Sequence, residues 1–126
     1  LDVESVQFYL LDEENYREIG FHEKIDPVYT LNNEQTEEFL EDFSNIKFHD
    51  VILIVLAAVD PSFYYGDIVV RINFSNGDYS FYSHSGYGET YNENNERISI
   101  THFSCEREDL EKLLIKYYPN YESTEN

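Results

Sequence analysis

Asp67-Ile68-Val69-Val70-Arg71-Ile72-Asn73-Phe74-Ser75-Asn76-Gly77-Asp78-Tyr79-Ser80-Phe81-Tyr82-Ser83 consists of two alternating runs of β-branched and aromatic residues joined by Asn-Gly. An Asn-Gly pair in that setting asks for a two-residue type I′ hairpin, because both central residues of that turn need positive φ. Counting outward from it pairs Phe74 with Tyr79, Ile72 with Phe81 and Arg71 with Tyr82. This register puts Ile68, Val70, Ile72, Phe74, Tyr79 and Phe81 on a core face. Val69, Arg71, Asn73, Ser80, Tyr82 and His84 fall on the other, a mixed aromatic, basic and amide face left to solvent or to a ligand.

Upstream lies Val51-Ile52-Leu53-Ile54-Val55-Leu56-Ala57-Ala58-Val59, an apolar run bounded by Asp50 and Asp60-Pro61. Its β-branched first half predicts a buried central strand, with a short buried helix as the alternative around Leu56-Ala57-Ala58. A bilayer span takes about 20 apolar residues, so the run is too short to cross one. The loop that follows holds Phe63, Tyr64 and Tyr65 in succession, and at least one of these rings is expected at the surface. Downstream, Glu89 to Tyr91 and Arg97 to Phe103 read as strands around the loop Asn92 to Glu96. A final helix over 106–118 places Leu110, Leu113, Leu114 and Tyr117 on one stripe, with Lys112 and Lys116 late and Pro119 as its stop. Residues 119–126 are expected to fray.

At the other end, Val3 to Leu11 alternates with Val6, Phe8 and Leu10 on one side, and Tyr16 to Phe21 resumes the pattern after Asp12-Glu13-Glu14-Asn15, which predicts a first hairpin. Asn32 reads as an N-cap with Gln35 as its capping-box partner, opening a helix from Asn33 to about Asn45. Phe39, Leu40, Phe43 and Ile46 form its apolar stripe. Its outer face carries Glu34, Glu37, Glu38, Glu41 and Asp42 with no compensating base. The fold class expected is α+β: a single domain over residues 1–126, with one antiparallel or mixed sheet of five to six strands and two amphipathic helices packed on it.

The 126-residue chain holds 26 acidic and 8 basic side chains, a formal charge of −18. Binding to nucleic acid normally begins with phosphate neutralisation by Lys and Arg, so a direct nucleic-acid ligand is excluded and a protein partner with a basic surface is expected. An aromatic share of 17% supplies enough to bury, which argues against disorder. Cys105 stands alone and closes no internal disulfide. The absence of methionine, even at position 1, suggests a processed or anchored segment ahead of Leu1 and an extracytoplasmic setting, with a cytoplasmic one as the alternative.

Chemistry is sparse. His22, His49, His84 and His102 lack paired metal-ligand spacing, and the acidic stretches hold no calcium loop. Ser83-His84-Ser85 alternates faces, so His84 is badly placed to serve as a base for either serine. No enzyme activity, cofactor or metal is expected.

The run Asp67 to Ile72 leading to Asn76-Gly77-Asp78, then Phe103-Ser104-Cys105 into Leu110 and Lys116-Tyr117-Tyr118, is similar to small extracytoplasmic domains of Gram-positive bacteria. In type, the chain resembles the small acidic immunity proteins that bacteria pair with their toxins. The likeness to the extracytoplasmic domains covers about the last two thirds of the chain and implies a noncatalytic immunity or cell-surface role, with no functional residues transferred. The function expected is a protein-binding inhibitor that neutralises a toxin; the alternatives are an acidic nucleic-acid mimic and an accessory domain of a surface protein. Arg71, Tyr82 and His84, with Tyr64 and Tyr65 beside them, are the first candidate contact residues, and Glu37, Glu38 and Glu41 the second.

Overall fold

The computed structural model describes residues 2–11, 21–23, 25–46, 49–50, 68–83, 87–104, 110, 112–113 and 116–117. The apolar run Val51–Val59, the loop with Tyr64 and Tyr65, residues 12–20, His84, Cys105 and the C-terminal tail lie outside them, and so do the expectations attached to them. The elements are β1 (Val3–Leu10), β2 (Tyr29–Thr30), α1 (Asn33–Ser44), β3 (His49–Asp50), β4 (Ile68–Phe74), β5 (Tyr79–Ser83), β6 (Tyr87–Tyr91) and β7 (Arg97–Ser104). The strands form one sheet in the order β2-β1-β4-β5-β6-β7-β3. Every described pairing is antiparallel. Five strands carry it, and the two-residue β2 and β3 flank them at the edges.

Of the strand expected to pair with β1 in a first hairpin, Tyr16 to Phe21, only Phe21 is among the described residues. Both edges of β1 are taken: Val6 pairs with Ile72 and Phe8 with Val70 on β4, while Gln7 pairs with Thr30 and Phe8 with Tyr29 on β2. Phe21, expected at the end of a strand, instead opens the 3-10 turn Phe21–Glu23. A central strand is buried on both faces, so simple alternation misreads it. Tyr9 and Leu11 are buried on the face opposite Val6 and Phe8, whereas Leu10 is 46% exposed.

The β4–β5 hairpin corrects the register. Asn73 pairs with Tyr79, Arg71 with Phe81 and Val70 with Tyr82, one residue away from the type I′ pairing. Gly77 has φ +96 while Asn76 has no positive φ, which a type I′ turn requires. The Gly77 N–H donates to the Phe74 carbonyl at 3.1 Å and the Phe74 N–H to the Asp78 carbonyl at 2.9 Å. These bonds describe a three-residue loop, with a tight turn closed by a left-handed glycine. A slip of one residue turns a whole strand over. Tyr79 and Phe81 therefore join Val69, Tyr9 and Tyr91 in one cluster, and Tyr82 packs on the opposite side with Val70, Ile72 and Phe39.

α1 begins as its sequence predicts. The Gln35 N–H donates to Asn32 Oδ1 at 2.8 Å and the Asn32 N–H to Gln35 Oε1 at 3.1 Å, a closed capping box. Phe39 is fully buried, and Leu40, Phe43 and Ile46 pack beside it. Its ring meets Phe8 edge-on at 6.0 Å and Tyr117 at 5.5 Å, and stacks on Phe43 at 5.6 Å. Of the two helices expected, the structure establishes this one. From the second, Leu110, Lys112, Leu113, Lys116 and Tyr117 are described; they are helical, and Leu110, Leu113 and Tyr117 are buried in the same cluster.

Candidate functional site

The inward stripe of α1 fixes what faces out. With Thr36 and Phe39 buried, the 3.6-residue period turns Glu34, Glu37, Glu38 and Glu41 to solvent. Like charges four apart on a helix repel by a few tenths of a kcal/mol, which packing of the other face easily offsets. The expectation that this face has no compensating base is corrected: the fold brings one from a distant part of the chain. Lys116 Nζ lies 3.0 Å from Glu38 Oε1 and 2.8 Å from Asp42 Oδ2. The Tyr117 hydroxyl donates to the same Asp42 oxygen at 2.7 Å. Neighbours in sequence thus clamp one carboxylate from two sides.

These bonds set the local electrostatics. Hydrogen bonds from Lys116, then from Tyr117, hold the Asp42 carboxyl below its usual range. The same contact to Asp42, followed by Glu38, lifts Lys116 above the ordinary lysine value. Burial, then the bond to Asp42, pushes the Tyr117 phenol up to about 12. Beside the clamp is a shallow cavity of about 280 Å³ lined by Asp42, Asn45, Ile46, Lys112, Leu113 and Lys116. Among the described residues, Glu34, Glu37 and Glu41 have no cationic partner. Such a row accepts hydrogen bonds from guanidinium and ammonium groups.

The hairpin face expected to bind is divided by the corrected register. Arg71 and Tyr82 lie on opposite sides of the sheet. Arg71 is half-buried; its Nε donates to Asn73 Oδ1 at 2.7 Å and its Nη1 to the Tyr9 hydroxyl at 3.2 Å. Its guanidinium carbon sits 4.2 Å above the Tyr79 ring. A cation so placed gains from the ring quadrupole and braces the sheet. Tyr82 lies over Gly88 and meets Phe43 of α1 at 5.7 Å, so it packs rather than projects. Tyr64, Tyr65 and His84 lie outside the described residues.

The sheet face opposite α1 also holds a polar and aromatic nest that sequence reasoning missed. His22, which the sequence marks only as lacking metal-ligand spacing, packs against Tyr79, Phe81 and Tyr91 with ring centroids 5.2, 5.1 and 5.0 Å away. Its Nε2 is 2.9 Å from the Tyr79 hydroxyl, which donates to Asn95 Oδ1 at 2.6 Å. Glu89 is 4% exposed and accepts from Tyr91 at 3.1 Å and from Arg97 Nη1 at 2.9 Å. The alternation of Glu89 with Tyr91, facing Arg97 across a hairpin, is the sequence signal that points to this pair.

Among the described residues, no group of three or more His, Cys, Asp or Glu side chains is placed to hold a metal ion. Nor is any helix among them long and apolar enough to cross a membrane. No family model, curated protein or solved structure matches the chain.

Proposed function

We propose that this chain is a non-enzymatic protein-binding inhibitor of the immunity type, which captures a bacterial toxin through that toxin's basic surface. The observation that carries the reading is the row Glu37, Glu38 and Glu41 on a helix pinned from behind by Phe39. Fixed carboxylates need little reordering on contact, and a net charge of −18 speeds the encounter with a cation-rich surface. Affinity then comes from close contacts beside the row, where the cavity rim at Ile46 and Leu113 adds apolar area.

The alternative of nucleic-acid mimicry uses the same helix and differs in what charge reversal does. The test immobilises the full chain and captures partners from a lysate of its source organism at about 0.05 M and about 0.5 M salt, with identification by mass spectrometry. Association of the captured protein is then measured with wild type and with Glu37→Lys/Glu41→Lys, which leaves the Glu38–Lys116 pair intact. The inhibitor reading expects a basic partner whose on-rate falls by about tenfold or more while its off-rate changes little. Total loss of binding favours the mimic. A neutral or acidic partner indifferent to both salt and reversal overturns both readings.

A further inference from the structure

We propose that Asn76 is a gated modification site: its side-chain amide is displaced by the Gly77 backbone nitrogen, and only when the β4–β5 turn opens. The inference is independent of the proposed function, because no residue of the acidic row on α1 takes part. Asn76 is the one asparagine in the sequence that a glycine follows. Both residues are exposed at the tip of the turn. Asparagine is a thermolabile residue, and a following glycine, having no Cβ, shields its own nitrogen least.

The chemistry needs water and nothing else. Base takes the proton from the Gly77 N–H, and the nitrogen attacks Asn76 Cγ. A new N–Cγ bond forms as the Cγ–Nδ2 bond breaks, and Nδ2 takes up a proton and leaves as ammonia. The five-membered imide that remains adds water at either carbonyl and opens to aspartate or to isoaspartate. No oxidation or reduction is involved.

The closed turn blocks the first step. The Gly77 N–H donates to the Phe74 carbonyl at 3.1 Å, so base does not reach its proton. A backbone amide held in this way loses its proton through opened states. An anion formed at that nitrogen would also sit between carboxylates. Asp78 follows it in the chain, and Glu93 Cβ lies 2.8 Å from where a Gly77 Cβ would be. Like charges so near disfavour ionisation. The amide under attack is held as well: Asn76 Oδ1 accepts from the Asp78 N–H at 3.0 Å, and Nδ2 donates to Asp78 Oδ2 at 3.3 Å. The opening that exposes the Gly77 proton is therefore the one that permits reaction. When opening and closing are fast, the rate of modification is the open-chain rate multiplied by the open population.

The product does not fit back into the turn. Isoaspartate adds one carbon to the main chain ahead of Gly77 and one negative charge beside Asp78 and Glu93. The Gly77–Phe74 bond and the 2.9 Å bond from the Phe74 N–H to the Asp78 carbonyl cannot both be remade around the longer loop.

The test incubates the full chain at about pH 8 and about 37 °C, folded and in guanidinium chloride, and follows mass gain and isoaspartate at position 76 by peptide mass spectrometry, with Gly77 amide exchange measured by NMR on the folded chain. In the denatured chain, position 76 should be the first asparagine modified. The folded chain should modify it at least about tenfold more slowly, and that slowing should match the protection of the Gly77 amide within about threefold. Equal rates in the two states, an unprotected Gly77 amide, or a slowing unrelated to its protection overturns the proposal. Asn76→Gln, which would have to close a larger ring, assigns the signal in the denatured chain, where folding is not needed. The mass gain should disappear there, and its persistence would also overturn the proposal.

Discussion

Replacing Phe39 with alanine tests whether α1 is held to the sheet as described. Full burial of a phenylalanine side chain contributes about 1.5–3 kcal/mol, and each well-placed aromatic pair about 0.5–1.5 kcal/mol more. Phe39 is 0% exposed and makes three such pairs, with Phe8, Phe43 and Tyr117. Truncation also leaves a cavity walled by rings that cannot collapse freely, so the expected loss is at the upper part of the usual range, about 4 kcal/mol. Domains hold roughly 0.05–0.15 kcal/mol per residue, which makes this about a fifth or more of the total. Urea unfolding read by tyrosine fluorescence and by far-UV circular dichroism is the assay. With a slope of about 2 kcal/mol/M, the midpoint should fall by about 2 M. Leu10→Ala is the control: sequence alternation groups Leu10 with Val6 and Phe8, yet it is 46% exposed and should lose about 1 kcal/mol or less. A loss below about 1.5 kcal/mol for Phe39→Ala, or a larger one for Leu10→Ala, refutes the packing argument.

Gly88→Ala tests the register, since its added Cβ would lie 2.9 Å from Tyr82 Cδ1 and 3.0 Å from the Phe81 carbonyl oxygen. Overpacking of about 1–3 kcal/mol is expected, with the Tyr82 ring displaced from Phe43 in NMR spectra; a neutral substitution would place Tyr82 elsewhere. Asp42, held below the usual carboxylate range by Lys116 and Tyr117, lends stability that is complete above that range and is lost as pH falls through its depressed folded value. Tyr117→Phe should raise the Asp42 titration midpoint toward the ordinary value of 3.8, read from its carboxyl resonance, and no movement would remove Tyr117 from the clamp.

What was legible in the sequence was what depends on neighbours a few positions apart. Asn32 and Gln35 announce the start of α1, and Phe39, Leu40, Phe43 and Ile46 mark its buried side. The β5 register was not legible, because Tyr79 and Phe81 point one way and Tyr82 the other, so the sheet has apolar partners on both faces and alternation does not choose between them. Asn76-Gly77 suits either turn, since both need a left-handed glycine at position 77. The candidate site divides the same way. Glu37, Glu38 and Glu41 were readable as an exposed row, whereas Lys116 reaches Asp42 across 74 positions, and no local pattern carries that.

β1 lies in the interior of the sheet although it is the first strand in the chain. Its bond from Arg71 to Tyr9 spans 62 positions, whereas β4, β5 and β6 each pair with the strand that follows almost at once. Closing so long a loop comes late, after the local hairpins have formed. During synthesis, then, Val3 to Leu11 emerges well before the β4 strand it pairs with, a waiting strand with open edges. The acids that bracket it, Asp2 and Glu4 before and Asp12-Glu13-Glu14 after, serve as gatekeepers that keep waiting copies from sticking to one another.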